Sequence, residues 1–246
     1  MKEVSKTHFR PSLNVLLLSQ STILEQLQLE EALLRADQRN WCLINPNPPE
    51  AIVMGISSSP EKVIDLDRLQ KQPVPLIRRF SGGGTVFIDA DSIIKTFIFN
   101  QADLGIPCYP HAVFQWSEIF YRLVFQEIEL RLCENDYVIK GRKCGGNAQY
   151  MTKNRWLHHT SFLWDYQAEN MAYLKMPPKM PGYREQRSHD NFLCKLGEYL
   201  PSKQEAVNRF LKTLEVYFKV EISSLSEAYK VTQIPHRRTS QRIDLF

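Results

Sequence analysis

The stretch Ile77-Arg78-Arg79-Phe80-Ser81-Gly82-Gly83-Gly84-Thr85-Val86-Phe87-Ile88-Asp89 is the part of the sequence that decides the fold. Two arginines precede three consecutive glycines, and an apolar, β-branched run follows. Because glycine has no Cβ, its backbone can approach a ligand closely and expose N–H donors. The stretch lacks the Gly-Lys-Ser/Thr of a Walker loop and the spaced glycines of a dinucleotide fingerprint. It therefore predicts a turn between two strands that holds a phosphate or carboxylate group.

A second glycine-rich segment has the same character. It reads Lys140-Gly141-Arg142-Lys143-Cys144-Gly145-Gly146-Asn147-Ala148, with strand-like residues on both sides. Six of the ten glycines in the chain lie in these two segments. We expect two loops that the sheet brings together, so that their cations and backbone donors surround one negatively charged ligand.

These residue types suit the activation of a carboxylic acid. A carboxylate is a poor electrophile, and ATP activates it by forming an acyl-phosphate anhydride. The protein then supplies positioning and charge stabilisation, for which backbone N–H groups, arginine and lysine are suited. We expect Lys143 to reach both the acyl oxygen and the bridging phosphate, because its charge sits on a flexible stem. Arg79 is expected to hold a phosphate from the opposite side.

Several motifs occur together in a fixed order over about residues 14–200. They are Glu30-Glu31-Ala32-Leu33-Leu34, residues 78–86, Asn135-Asp136, residues 141–149 and His158-His159-Thr160. In these motifs the chain resembles the lipoate-protein ligase A family, within the biotin and lipoate protein ligase superfamily. The resemblance implies that ATP and lipoate form lipoyl-AMP, and that the lipoyl group passes to a lysine of a lipoyl-domain protein.

The resemblance also implies site residues, cofactors and partners. Lys143 corresponds to the catalytic lysine that contacts both the lipoyl group and the nucleotide. The implied binding residues are Arg79, Ser81, Gly82, Gly83, Gly84, Thr85, Val86, Phe87, Asp136, Lys143, Gly145, Gly146, Asn147, Ala148 and His159. Magnesium is expected to accompany ATP, with no residue predicted as a metal ligand. The implied partners are the E2 subunits of 2-oxoacid dehydrogenases and the glycine cleavage H protein, and the need for an accessory protein is left open.

Two features depart from the common bacterial pattern. Ile88 stands where that pattern has a histidine before Asp89, so any role of that histidine is missing here. The better-known ligases also carry an accessory C-terminal domain of about a hundred residues, which we do not expect in this chain.

Two other functions stay open. Arg142 and Lys143 favour a thiolate at Cys144, so the protein could be an octanoyl or lipoyl transferase that uses a thioester and no ATP. It could also be a non-catalytic relative that holds lipoyl domains or nucleotide without turnover. A biotin ligase agrees less well with the sequence, because that branch has a different glycine-arginine loop pattern.

The composition suits one catalytic domain. The chain has 246 residues, of which 43% are hydrophobic, and a net charge of +4. That charge is modest for a nucleic-acid binder and favours an acidic protein partner. Five cysteines without paired zinc spacing indicate a reducing compartment. Apolar runs are too short for a membrane span, and the basic start at Lys2, Lys6 and Arg10 does not make a transit peptide. We therefore expect a cytoplasmic protein that binds neither membranes nor nucleic acid.

The order of elements predicts an α/β (α+β) fold with a mixed β-sheet flanked by helices. Helices are predicted after a Ser21 or Thr22 cap and over 63–70, 110–128 and 203–218. Predicted strands cover 13–19, 41–45, 51–56, 76–79, 85–89, 93–99, 137–139, 147–153, 156–165 and 220–223. The second and third of these strands are expected to pair as a hairpin around the prolines of 46–49. Residues 1–235 are expected to form one domain with a surface excursion over 166–200, and residues 236–246 a loosely attached tail.

Other polar residues have simpler interpretations. Adjacent residues of a strand point to opposite faces, so His158 and His159 are not expected to bind one metal ion. One of them is expected to bond to the ligand, and the other to lie in the core or at the surface. Asp89 and Asp136 are expected either to cap turns or to hold magnesium.

Overall fold

The structure is a computed structural model that describes residues 10–19, 21–176 and 180–245. The strands are β1 (Ser12–Leu17), β2 (Trp41–Asn45), β3 (Ala51–Met54), β4 (Leu76–Arg78), β5 (Val86–Ile88), β6 (Ser92–Asn100), β7 (Leu130–Cys133), β8 (Asp136–Ile139), β9 (Arg142–Met151), β10 (Arg155–Leu163), β11 (Lys219–Ile222) and β12 (Gln241–Arg242). The α-helices are α1 (Ile23–Ala36), α2 (Pro60–Val63), α3 (Leu66–Lys71), α4 (Gln101–Leu104), α5 (Pro110–Val124), α6 (Ala168–Met171), α7 (His189–Phe192), α8 (Lys203–Tyr217) and α9 (Leu225–Val231). Short 3-10 helices cover Gly182–Arg184 and Leu196–Glu198.

The larger of two sheets has eight strands in the order β11-β1-β2-β6-β10-β9-β8-β7. β1 pairs in parallel with β11 and β2, and the remaining pairs are antiparallel. Helices α1 and α9 cover one face, and α5 and α8 cover the other. The predicted fold class, a mixed β-sheet flanked by helices, is confirmed. No helix within the described residues is long and apolar enough to cross a membrane.

The smaller sheet has the order β12-β4-β3-β5. The predicted hairpin of β2 and β3 is therefore wrong, because the two strands belong to different sheets. Pro46, Pro48 and Pro49 lie between them, and each has a fixed φ and no N–H. Such a segment does not form the tight turn of a hairpin, and it carries the chain from one sheet to the other.

Helix α1 connects the two sheets. It begins after Thr22, whose hydroxyl accepts the Glu25 N–H, while the Glu25 carboxylate accepts the Thr22 N–H. This capping box fixes where the helix starts. Ile23 and Leu27 on its first turns pack with Val53 of the smaller sheet and Ile94 of the larger one. The apolar contact holds the smaller sheet against α1 and against β6 of the larger sheet.

The second glycine-rich segment was predicted to be a loop and is instead most of strand β9. The turn is confined to Lys140 and Gly141, with φ values of 50° and 74°. Positive φ at both positions is the geometry of a two-residue hairpin turn. Gly145 lies within the strand, where an added Cβ would come 2.8 Å from a ring atom of Phe162. Glycine serves here to make room for a core side chain, so it does not signal flexibility.

The predicted surface excursion over 166–200 lies largely at the surface, but it is wrong where the segment enters the cores. Phe192 and Leu193 lie in the core of the smaller sheet, and Leu196 lies in that of the larger sheet. The Cys194 N–H donates to the Lys143 carbonyl at 2.8 Å. Abundant charged residues mask the few apolar positions that anchor this segment. Pro177 and Pro178, which belonged to the prediction, lie outside the described residues.

The expected loose tail is attached by backbone hydrogen bonds. The N–H groups of Thr239 and Ser240 donate to the Glu31 carboxylate at 2.9 and 3.0 Å, and β12 pairs with β4. Burial opposes ionisation of Glu31, but these hydrogen bonds and the charge of Arg35 together hold its pKa below the ordinary value. A buried carboxylate needs such donors, and the tail supplies them. Phe246, the last residue of the predicted tail, lies outside the described part of the chain.

Gly83 is the point where the two glycine-rich segments touch. A Cβ at Gly83 would lie 3.4 Å from the Asn147 carbonyl oxygen and 3.8 Å from the Ala148 Cβ. Gly83 also has a φ of 105°, which side-chain-bearing residues rarely adopt. On its other side, the Gly83 carbonyl would be 2.3 Å from a Cβ at Gly55. The expectation that the two segments meet is confirmed, and the close approach requires glycine at 83.

We expect Gly83→Ala to lower the free energy of unfolding by about 1–3 kcal/mol, because it adds backbone strain and a 2.7 Å contact with Arg79 Nη2. Gly82→Ala is the matched control, since a Cβ there meets nothing within 4 Å. Urea denaturation of both variants measures the effect. Equal stabilities of the two variants would show that the loop does not need its close approach to β9.

Lys95 of β6 is an unusual core residue. It is fully buried, and within the described residues its Nζ has no hydrogen-bond partner. The amine lies 3.6 Å from the centre of the Phe210 ring, with Phe162 and Tyr121 also nearby. Burial lowers the pKa of Lys95 from 10.5 to about 7, although the nearby Cys42 thiol opposes the shift. The amine therefore loses its proton near neutral pH in the folded protein.

Stability should consequently depend on pH through Lys95. Between pH 7 and 10 the unfolded chain binds a proton that the folded protein does not, so the Lys95 contribution to stability rises with pH, by up to about 1.4 kcal/mol per unit. We expect Lys95→Met to be more stable than the wild type at pH 7, and this advantage to shrink towards pH 10. Denaturation midpoints measured across that range provide the test.

Lys219→Met is the control for this series, because the Lys219 side chain is 71% exposed. Its stability difference from the wild type should stay constant with pH. Comparing differences removes the titration of groups that do not interact with Lys95, which is common to all three proteins. A Lys95→Met advantage that does not change with pH would contradict the assigned titration.

Candidate functional site

The candidate site lies between the loop of residues 79–85 and the face of β9 and β10 that this loop covers. The loop connects β4 to β5, which confirms the predicted turn between strands. Gly82, Gly83 and Gly84 are exposed, and their backbone N–H groups have no acceptor among the residues that the structure describes. Free donors on an exposed glycine loop can bind a phosphate or an oxyanion.

Arg79 shapes this loop from beneath. The side chain is only 4% exposed, and Nη2 donates to the carbonyls of Gly82 and Gly84, each at 2.8 Å. Burial lowers the pKa of Arg79 to about 10, and the charge of Glu30 opposes that shift. Because the guanidinium binds the loop carbonyls on one side, the loop N–H groups are left for the other side. Direct contact of Arg79 with a phosphate stays a prediction.

Lys143 lies at the start of β9 with its amine held by a carboxylate. Nζ is 2.8 Å from Asp136 Oδ1, and the two side chains are 23% and 11% exposed. The other oxygen of Asp136 accepts the Tyr183 hydroxyl at 2.9 Å. A Cβ at Gly146 would come 3.2 Å from Lys143 Nζ, so the amine lies directly over the Gly146 backbone. Glycine at 146 therefore gives the lysine the room to lie across the strand.

His159 presents an oriented imidazole on the same face. It pairs in register with Ala148, which lies next to Gly83. Its Nδ1 is 3.1 Å from Oε2 of Glu30, a fully buried residue of α1. The other oxygen of Glu30 accepts the Thr96 hydroxyl at 2.6 Å and the Gln26 amide at 2.7 Å. A carboxylate on Nδ1 fixes the ring and its tautomer and leaves Nε2 for a ligand.

The remaining predicted binding residues divide into two groups. The Thr85 hydroxyl is buried and has no hydrogen-bond partner among the described residues, and its contact with a ligand stays a prediction. Others are structural: Phe87 stacks on Tyr173 in the smaller core, and Ser81 and Val86 pack within the loop and its strand. The Asn147 side chain accepts from Thr160 and donates to the Asn135 carbonyl. Gly145 faces the core, as described above.

The residues with competing interpretations are separated by burial. His158 is fully buried against Phe114, and burial together with the neighbouring His159 lowers its pKa to about 3, so it is a neutral core residue. Asp89 accepts the Asp91 N–H at 3.0 Å and caps a turn. Cys144 is 0% exposed in the larger core, where burial, followed by the neighbouring Cys194, raises its thiol pKa well above the ordinary value.

Two parts of the site had no prediction. Tyr183 reaches Asp136 from a position 47 residues away in the sequence, and nothing in its neighbourhood signals that contact. Ser240 accepts the Phe80 N–H at 3.2 Å and so supports the start of the glycine loop. A signal for the buried role of Glu30 and Glu31 did exist, because two adjacent carboxylates interrupt the apolar face of α1.

Sequence comparison identifies relatives of this arrangement. Residues 22–219 match the lipoyl protein ligase A/B catalytic domain. The inactive lipoate–protein ligase 2 of Plasmodium falciparum is 28% identical over 216 residues, covering 73% of this chain and 56% of that protein. Lipoate-protein ligase LplJ of Bacillus subtilis is 25% identical over 199 residues, covering 80% and 59%. The chain thus spans about half the length of the curated relatives it matches.

Solved structures agree with the fold. The bipartite lipoate protein ligase of Thermoplasma acidophilum superposes with a TM-score of 0.75 at 17% identity, over 91% of each chain. Lipoate-protein ligase A bound with ATP also gives 0.75, at 16% identity, over 92% of this chain and 93% of that one. Because the catalytic-domain match covers most of the sequence and these ligases share its architecture, the chain belongs to the lipoyl protein ligase A/B catalytic domain family.

Proposed function

We propose that the protein is an ATP-dependent lipoate-protein ligase. The observation that carries the proposal is that the glycine loop and the Lys143 amine meet the same face of β9, since Gly83 lies against Ala148 and the amine lies over Gly146. In the first step the lipoate carboxylate attacks the α-phosphate of ATP, which forms lipoyl-AMP and releases pyrophosphate. In the second step a lysine amine of the acceptor attacks the acyl carbon, and AMP leaves.

Both steps develop negative charge that this site can stabilise. The Gly82, Gly83 and Gly84 N–H groups and the Lys143 ammonium are proposed to stabilise that charge, because fixed donors close to a developing charge give strong electrostatic catalysis. His159, fixed by Glu30, supplies one further oriented group for the acyl-adenylate. Structures of related ligases bound with ATP and with lipoic acid support both ligands as substrates.

Magnesium is proposed to arrive with the ATP phosphates and not to occupy a protein site of its own. Asp136 is committed to Lys143 and Tyr183, and Asp89 to its turn. Within the described residues, no group of three histidine, cysteine or acidic side chains could hold a metal ion.

The proposed acceptors are lipoyl-domain proteins, namely E2 subunits of 2-oxoacid dehydrogenases and the glycine cleavage H protein. The Thermoplasma structure comes from an archaeal lipoylation system of a bipartite lipoate protein ligase and its E2 lipoyl domain, which supports this class of partner. A net charge of +4 favours encounter with an acidic acceptor surface. The need for a separate accessory protein and a cytoplasmic location stay predictions.

A second candidate function is a non-catalytic relative that binds its ligands without turnover. It is favoured by the 28% identity to the inactive lipoate–protein ligase 2 of Plasmodium falciparum. Pyrophosphate release with Mg-ATP and lipoate, followed by the mass of an added lipoyl domain, separates the two functions. Release with a lipoyl mass gain supports the ligase, whereas binding without release supports the silent relative.

We expect Lys143→Ala to reduce lipoyl-AMP formation by about 10²–10³-fold while folding is retained, because the variant loses a cation at the developing charge but no core packing. Lys153→Ala is the control, since Lys153 is exposed in the turn between β9 and β10. Pyrophosphate release under saturating substrates measures the loss. Near-normal release by Lys143→Ala would contradict its catalytic role.

We expect Cys144→Ala to keep its ATP-dependent activity within about threefold of the wild type, because a buried thiol of raised pKa is not available as a nucleophile. The measurement is lipoyl-domain mass gain with Mg-ATP and lipoate, and separately with an acyl-thioester donor. Transfer from the thioester without ATP that is lost in Cys144→Ala would instead identify an acyltransferase.

A further inference from the structure

Tyr183 is the residue of the site that no motif indicates. It lies in the 3-10 helix Gly182–Arg184 and contacts a carboxylate that belongs to β8. We propose that Tyr183 is a positioning residue. It holds the Asp136 carboxylate in the orientation that fixes the Lys143 amine on the face of β9 and β10 that the glycine loop covers. The catalytic consequence rests on the proposed ligase function, whereas the positioning itself does not.

The contacts form a chain of two short hydrogen bonds. The Tyr183 hydroxyl donates to Asp136 Oδ2 at 2.9 Å, and Asp136 Oδ1 is 2.8 Å from Lys143 Nζ. Burial, and then the charge of Asp136, raises the pKa of Tyr183, so its hydroxyl keeps the proton that it donates. With one carboxylate oxygen taken by the phenol, the other is left for the lysine. Asp136 is thereby prevented from rotating away from Lys143.

Tyr183 is itself held firmly against the turn that precedes Lys143. Arg187 donates to the Tyr183 carbonyl at 2.6 Å and to the Gly141 carbonyl at 3.1 Å. The Tyr183 ring packs on Phe192 with 5.2 Å between ring centres. Arg187 thus joins the segment to the β8–β9 hairpin, while the Tyr183 ring joins it to α7. The hydroxyl is therefore free to act on Asp136 alone.

Because the ring and the hydroxyl of Tyr183 have different partners, Tyr183→Phe tests the role of the hydroxyl alone. The variant keeps the ring that packs on Phe192 and removes only the donor to Asp136. Tyr166→Phe is the matched control from the same part of the chain, because the Tyr166 hydroxyl has no hydrogen bond to any residue the structure describes, and its ring lies beside Lys195. Thermal unfolding of the three full-length proteins verifies that all are folded.

The first measurement is the rate at which trace acetic anhydride acetylates Lys143, read by peptide mass spectrometry against exposed Lys212. We expect Tyr183→Phe to raise the relative Lys143 rate by about threefold or more, and Tyr166→Phe to leave it unchanged. The second measurement is pyrophosphate release. We expect kcat to fall about tenfold in Tyr183→Phe, with KM for ATP and lipoate within about twofold of the wild type.

The outcomes separate the two proposals. An unchanged Lys143 rate in Tyr183→Phe, or an equal change in Tyr166→Phe, would overturn the positioning role. A raised Lys143 rate with unaltered kcat would overturn its importance for catalysis. If the wild type releases no pyrophosphate but Tyr183→Phe still exposes Lys143, the positioning role stands and the ligase function fails. The labelling needs no turnover, so the two failures cannot be confused.

Discussion

The hydrogen bonds from the Arg79 guanidinium to the carbonyls of the glycine loop are the interaction on which the site depends. A peptide group has a donor and an acceptor on opposite sides, so binding the carbonyls beneath the loop orients the N–H groups above it. The guanidinium is suited to this role because it has five donors in a rigid plane. Burying its charge is costly, and the buried Glu30 lies close enough to oppose the lowering of its pKa. The glycine loop, Arg79 and helix α1 therefore form one electrostatic unit.

Two adjacent carboxylates of α1 support the site in different ways. Glu30 faces the larger sheet, where it orients His159 and accepts from Thr96. Glu31 faces the chain after residue 238 and binds the backbone of Thr239 and Ser240. Both are buried, which would be unfavourable without these donors. A single helix thus orients His159 through one side chain, and through the next it holds Ser240, which supports the start of the glycine loop.

The sequence was most informative where structure is decided locally. The turn at residues 79–85, the capped start of α1 and the opposite directions of His158 and His159 depend on neighbours within a few residues, and all were predictable. The wrong predictions share a different cause, which is contact between residues far apart in the sequence. Whether β2 pairs with β3, and whether residues 239–243 are attached, depends on partners far away in the chain. The glycines of β9 were wrongly predicted to form a loop, because the sequence alone does not distinguish a glycine that makes room for Phe162 from one in a flexible loop. The sequence did not indicate that Lys95 is buried or that Tyr183 contacts Asp136, since only the assembled fold defines their surroundings.

The attachment of β12 to β4 affects how the chain folds during its synthesis on the ribosome. Ser240 lies 160 residues after Phe80, which it supports, and β1 pairs with β11, about two hundred residues later. The partner of β1 is complete only after residue 222 and that of Phe80 only after residue 240, so until then the nascent chain carries an exposed strand edge and an unfinished smaller sheet. Contacts of such long sequence separation slow folding and leave apolar surface open to association. The glycine loop is thus completed late, and chaperone demand should concentrate in that interval.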